Sequence, residues 1–192
     1  MLATLLLTAC GQPTGAHSPS ARASTNATGS AAQSDQGSTI PGAGGPGRCQ
    51  TSQLKITLGP VNGATGNDIE SVTMTNGSTT SCYLGGYAGV ELLDANGNHL
   101  GDAQRGTDSF FGTYPAPHRV DVPAGASTTF DLTWSGIDPC GNSPAWHPAY
   151  FKITPPGDFD SATVSTQETG MTTVSVCPNS MSVHPVGSKR QQ

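Results

Sequence analysis

Apolar and polar residues alternate in a succession of short runs, each closed by a turn signal, and this alternation restricts the chain more than any other feature. From Ser127 to Trp134, Phe130, Leu132 and Trp134 fall on one side and Thr129, Asp131 and Thr133 on the other. Successive side chains of a strand point to opposite faces, so the pattern predicts a half-buried strand. Leu54, Ile56 and Leu58 repeat it before Gly59-Pro60, and Val72 and Met74 repeat it before Asn76-Gly77. Cys82 and Leu84, then Val90, Leu92 and Leu93, lead into Asp94-Ala95-Asn96-Gly97-Asn98, whose Asn-Gly pair tolerates the positive φ of a hairpin turn. Leu100 begins a return strand, and Val120 and Val122 precede Pro123-Ala124-Gly125. Phe151 and Ile153, Ala162 and Val164, Val174 and Val176, and Met181 and Val183 complete the series. No stretch of a dozen residues places apolar side chains at helical spacing. Seven to nine short strands separated by turns predict an all-β, antiparallel, immunoglobulin-like β-sandwich over residues 48–187, with 188–192 as a tail.

The chain ahead of this domain has a different character. Residues 11–47 hold no aromatic residue, one Ile and one Arg among Gly, Ser, Ala, Thr and Pro. Such a segment cannot bury enough apolar surface to offset the entropy of ordering it, which predicts a flexible tether. Its span would be roughly 30–35 Å by the flexible-chain relation. The tether begins at Leu7-Thr8-Ala9-Cys10, which matches a bacterial lipobox: a Leu, two small residues that fit the signal peptidase, and the cysteine whose sulfur takes a diacylglycerol. Two acyl chains at ~0.8 kcal/mol per buried methylene anchor stably where one chain is marginal. Residues 1–9 then read as the apolar part of a signal peptide truncated at its start, because the basic n-region that such a leader needs is missing. The expectation is a lipid anchor at Cys10, a tether over 10–47, and a domain held on the outer face of the cell membrane.

Thirteen acidic and eight basic residues give a formal net charge of −5, with the charges scattered. A nucleic-acid partner needs a basic face, and none is present. Of five cysteines, Cys10 is the odd one; Cys49, Cys82, Cys140 and Cys177 remain for disulfides. Their spacings are too wide for the paired Cys-x-x-Cys clusters of structural zinc sites, so no metal is expected. Four cysteines allow three pairings, of which Cys49–Cys82 with Cys140–Cys177 is the one favoured here.

The run Cys82-Tyr83-Leu84-Gly85-Gly86-Tyr87-Ala88-Gly89-Val90-Glu91-Leu92 resembles the Cys-x-Leu-x-Gly-Tyr-x-Gly-Val pattern of a domain-of-unknown-function family of actinobacterial exported lipoproteins. Cys49, the turn from Gly63 to Asn67, Asn76, Val122-Pro123-Ala124-Gly125, Trp134, Cys140, Pro155-Pro156 and Cys177 stand in the expected order. Ala88 departs from the pattern, where the family usually has Pro. The resemblance implies a sandwich, export and disulfides; it implies no activity.

Catalytic candidates are few. The histidines are His17, His99, His118, His147 and His184, read as loop residues in water, without His-x-His spacing or a Gly-x-Ser-x-Gly elbow. Asp158 and Asp160 around Phe159 read as an exposed acidic turn, since calcium wants six or more oxygen ligands. No catalytic residues and no cofactor are expected. Binding candidates are clearer. Ser109 to His118 holds Phe110, Phe111 and Tyr114, and Ser143 to Tyr150 holds Trp146. Aromatics on loops at one end of a sandwich form recognition faces, although such rings also commonly cover a core. The leading expectation is a non-catalytic, lipid-anchored envelope domain that contacts an envelope protein or glycan. The alternative is a glycan- or small-ligand-binding module using Phe110, Phe111, Tyr114 and Trp146.

Overall fold

The computed structural model describes residues 46–137, 140–169 and 174–191. The expected signal peptide, Cys10 and the tether as far as residue 45 lie outside the described residues, as does His17. In chain order the strands are β1 (Leu54–Leu58), β2 (Asn62–Ala64), β3 (Asn67–Asn76), β4 (Cys82–Gly85), β5 (Gly89–Leu93), β6 (His99–Asp102), β7 (Gln104–Arg105), β8 (Asp108–Ser109), β9 (Gly112–Thr113), β10 (Arg119–Val122), β11 (Ser127–Ser135), β12 (Tyr150–Thr154), β13 (Ala162–Ser165) and β14 (Ser182–Val183). Two short 3-10 turns lie at Thr51–Gln53 and Thr166–Thr169. The all-β class expected from the alternation is what forms.

One sheet runs β1-β3-β11-β14-β7, with β2 paired on β3; a second runs β13-β12-β5-β6; β10-β4 and β8-β9 are two-stranded. All pairings are antiparallel except β14 with β7. The inward rows follow from period two. Leu54 and Ile56, Val72 and Met74, and Phe130 and Leu132 come from the first sheet; Val90 and Leu92, Phe151 and Ile153, and Val164 come from the second. Together with Cys82, Leu84 and Val122 they form one buried cluster. Disulfides join Cys49 to Cys82 and Cys140 to Cys177, the favoured pairing. At the β5–β6 turn Gly97 has φ 81°, and Asp94 Oδ1 accepts from the backbone N–H of both Asn96 and Asn98, so the Asn-Gly signal is met by an Asx-type turn.

Three features differ from the sequence reading. β3 starts at Asn67, well before Val72, because Glu70 occupies an inward position where the alternation calls for an apolar residue. Val174 and Val176 are buried but form no strand. Val176 makes a single bridge, its N–H donating to Trp146 O at 2.9 Å and its carbonyl accepting from Trp146 N at 2.8 Å. Residues of the expected tail are also engaged: Ser188 is 6% exposed, and Gln191 exchanges backbone hydrogen bonds with Thr113.

Candidate functional site

The hairpin of β8 and β9 carries the first pair of predicted aromatics. Its turn is closed by Ser109, whose hydroxyl donates to Gly112 O at 2.9 Å and accepts from Phe111 N at 3.1 Å. Gly112 sits at φ 131°, where a Cβ would lie 2.3 Å from Gln191 O, so only glycine fits. This holds Phe110 62% exposed, with Phe111 half-buried beneath it in an edge-to-face pair, centroids 5.4 Å apart. The two rings line a cleft of about 270 Å³ with Asn67, Asp108, Ser182 and the edge of Trp134. The side chains of Asn67, Asp108 and Ser182 make no hydrogen bond among the described residues, which leaves an amide, a carboxylate and a hydroxyl beside the exposed ring.

Tyr114 and Trp146 are placed differently. Tyr114 is 4% exposed, and its hydroxyl donates to Asp131 Oδ2 at 2.9 Å while its ring stacks on His184 at 3.9 Å between centroids. Burial, reinforced by the Asp131 charge, pushes its phenol well above the ordinary value. Tyr114 is therefore a buried support under the hairpin, and it offers no ring to a ligand. Trp146 is half-buried against Gly101, and it is not among the residues that line the Phe110–Phe111 cleft. The two aromatic loops do not combine into one face around this cleft.

His184 corrects the reading of all histidines as solvated. It is fully buried: β14 is the strand next to β11 in the sheet, His184 N donates to Asp131 O, and the Tyr114 ring stacks on the imidazole. Nδ1 lies 2.9 Å from Gly106 O, and a carbonyl only accepts, so Nδ1 carries the proton. Nε2 then accepts from the Thr133 hydroxyl at 2.8 Å. Both ring nitrogens are thus engaged, and burial lowers the pKa below the usual histidine value. Asp131 accepts from Ser71 Oγ at 2.5 Å as well as from Tyr114. The group has the residue types of a hydrolytic site, but every member is held by another and the histidine has no free nitrogen. His118 and His147 are exposed, their Nδ1 atoms 3.5 Å from Ala116 O and 3.3 Å from Val174 O; among the described residues neither forms an ion pair with a carboxylate. His99 pairs with Asp102 at the surface, 3.1 Å apart. Asp158 accepts from Thr51 N, Thr51 Oγ1, Phe159 N and Asp160 N, and the Thr51 bonds foremost pull its carboxyl down to about 2. Among the described residues no three His, Cys, Asp or Glu side chains are grouped to hold a metal ion.

Residues 49–187 match a family model described as Domain of unknown function (DUF4232). The chain belongs to this family. No curated protein matches it. The DUF4232 match starts at the first bridged cysteine and ends just before Ser188, Lys189 and Arg190, which pack onto the outer face of β3 and β11. Glu70 and the segment Ser188–Arg190 of this DUF4232 chain escaped the sequence reading, whereas the turn at Phe159 is exposed as expected. Glu70 is fully buried with neither carboxylate oxygen hydrogen-bonded, and burial raises its pKa to about 8. Phe159 is 98% exposed on the loop that Asp158 ties to Thr51. The segment Ser188–Arg190 lines a groove beside the aromatic cleft.

Proposed function

We propose that this chain is a non-catalytic, extracytoplasmic binding domain, moored to the outer face of the membrane through lipidated Cys10, whose ligand is a small polyhydroxylated unit of an envelope glycan. The observation that carries this reading is the Phe110–Phe111 cleft: an exposed ring, held by a closed turn, next to unused hydrogen-bonding groups on Asn67, Asp108 and Ser182. A sugar ring presents an apolar face for stacking and a rim of hydroxyls for planar polar groups, and the cleft offers both. Its volume of about 270 Å³ suits one ring more than an extended chain. The two disulfides support an oxidising compartment outside the cytoplasm, and the lipobox with its tether supports the anchor. The engagement of His184, Asp131 and Tyr114 with one another supports a structural role for the cluster that most resembles a catalytic one.

Two measurements test it. Mass spectrometry of the native protein is expected to find diacylglycerol on Cys10 as the first residue; an unmodified Cys10 within an intact leader removes the anchor. A glycan array probed with the labelled chain is expected to show binding that Phe110→Ala lowers at least about tenfold, a loss of ~1.4 kcal/mol of the kind a stacking contact supplies. Binding that survives this substitution removes the cleft as the site.

A further inference from the structure

A second concavity lies on the outer face of β3 and β11. It holds about 470 Å³ and is lined by Thr129, Asp131, Ser188, Lys189 and Arg190, among others. The C-terminal segment is fixed over it at both ends. Gly187 N donates to Thr129 O at 2.7 Å, and Gln191 N donates to Thr113 O at 2.8 Å. Lys189 and Arg190 between these points make no ion pair among the described residues. Ser188 is 6% exposed, and its hydroxyl has no hydrogen-bond partner. Asp131 contributes an opposite charge, but each of its carboxylate oxygens already accepts a hydroxyl, from Ser71 or Tyr114. Two cations without an ion pair among the described residues, in a chain of net charge −5, are a local provision for an anion.

Arg190 joins this groove to the aromatic cleft. It lines the groove, and its guanidinium carbon stands 5.7 Å from the centroid of Phe111, a ring that lines the cleft. We infer that the ligand is an acidic saccharide: its ring occupies the Phe110–Phe111 cleft, and an oxyanion on it, phosphate or carboxylate, is held by Arg190 and Lys189. This rests on the glycan reading above and narrows it, because a neutral sugar would leave the cationic groove unused. Guanidinium takes both oxyanions through paired N–H donors, so the chemistry recognised is shared by the two.

The experiment compares neutral glycans with their uronate and phosphomonoester counterparts on one array, using the labelled chain at two salt concentrations. The acidic members are expected to bind at least about tenfold more tightly than their neutral parents, and the gap is expected to shrink as salt rises. Lys189→Gln is expected to narrow that gap, and Lys189→Gln with Arg190→Gln to close it, both variants being checked for native far-UV circular dichroism. The uronate and phosphate arms show which oxyanion is preferred; inorganic phosphate is expected to compete with either. Equal binding of neutral and acidic members overturns the acidic-ligand inference and leaves the glycan reading standing. An array on which no glycan binds, with inorganic phosphate still shifting the Lys189 and Arg190 resonances, overturns the glycan reading and this narrowing with it.

Discussion

Single residues decide how this domain responds to pH. Glu70 sits opposite Leu132 in the core with no hydrogen-bond partner, and burial raises its pKa from 4.5 to about 8. The folded state keeps the proton up to about pH 8, whereas the unfolded chain releases it near 4.5. The contribution is therefore complete below pH 4.5 and falls as pH rises through about 8, with a loss near 3 kcal/mol at pH 7. Glu70→Met, similar in volume and apolar, is expected to remove this slope and raise stability at pH 8 by about 2–4 kcal/mol in urea titrations; an unchanged slope would place the titration elsewhere. His184 acts at the other end of the scale. Its folded pKa lies below 6.5, so its contribution is complete above 6.5 and is lost as pH falls through the lowered value. His184→Phe keeps a ring against Tyr114 but leaves the Thr133 hydroxyl and Gly106 carbonyl without their partner. Thermal unfolding is expected to show a loss of about 2–4 kcal/mol and a weaker acid sensitivity. Phe159, by contrast, touches little, and Phe159→Ser is expected to change stability by less than about 0.5 kcal/mol.

Among the elements, β11 and the β8–β9 hairpin depend on one another through the C-terminal segment. β11 is buried on both faces where Leu132, Thr133 and Trp134 follow in succession. Period two predicts that Thr133 faces water; its hydroxyl instead donates to His184, which follows the neighbouring strand β14. The C-terminal segment pairs with the hairpin at Thr113, directly after Gly112. Gly112→Ala would force a Cβ into Gln191 O at a positive φ, at a cost of about 1–3 kcal/mol. The hairpin is expected to shift off the C-terminal segment and take Phe110 and Phe111 with it. Amide exchange should rise selectively at Thr113 and Gln191; protection as in the parent chain would mean that the pairing tolerates the change.

For the molecule as a whole, the two bridges close loops with separations of 33 and 37 residues, and each is worth about 3–4 kcal/mol in the chain-entropy model. With 34% hydrophobic residues the core alone has little reserve. Replacing Cys49 and Cys82 together by Ala is expected to lower the urea midpoint substantially, and reduction of both bridges is expected to lower it further; a midpoint indifferent to reductant would show that the core suffices. The sequence by itself determined the β class, most strand positions and the turns, because alternation and turn chemistry act between residues a few places apart. It also made the pairing of the cysteines guessable, since sequence neighbours such as Cys49 and Cys82 bracket adjacent strands. Only the tertiary structure decided that Tyr114 turns inward, that His184 is buried and tautomerically fixed, that Glu70 is stranded in the core, and that Lys189 and Arg190 stand beside Phe111. The physical reason is distance along the chain: each of these environments is made by segments far apart in sequence that meet only when the sheets and the C-terminal segment pack together.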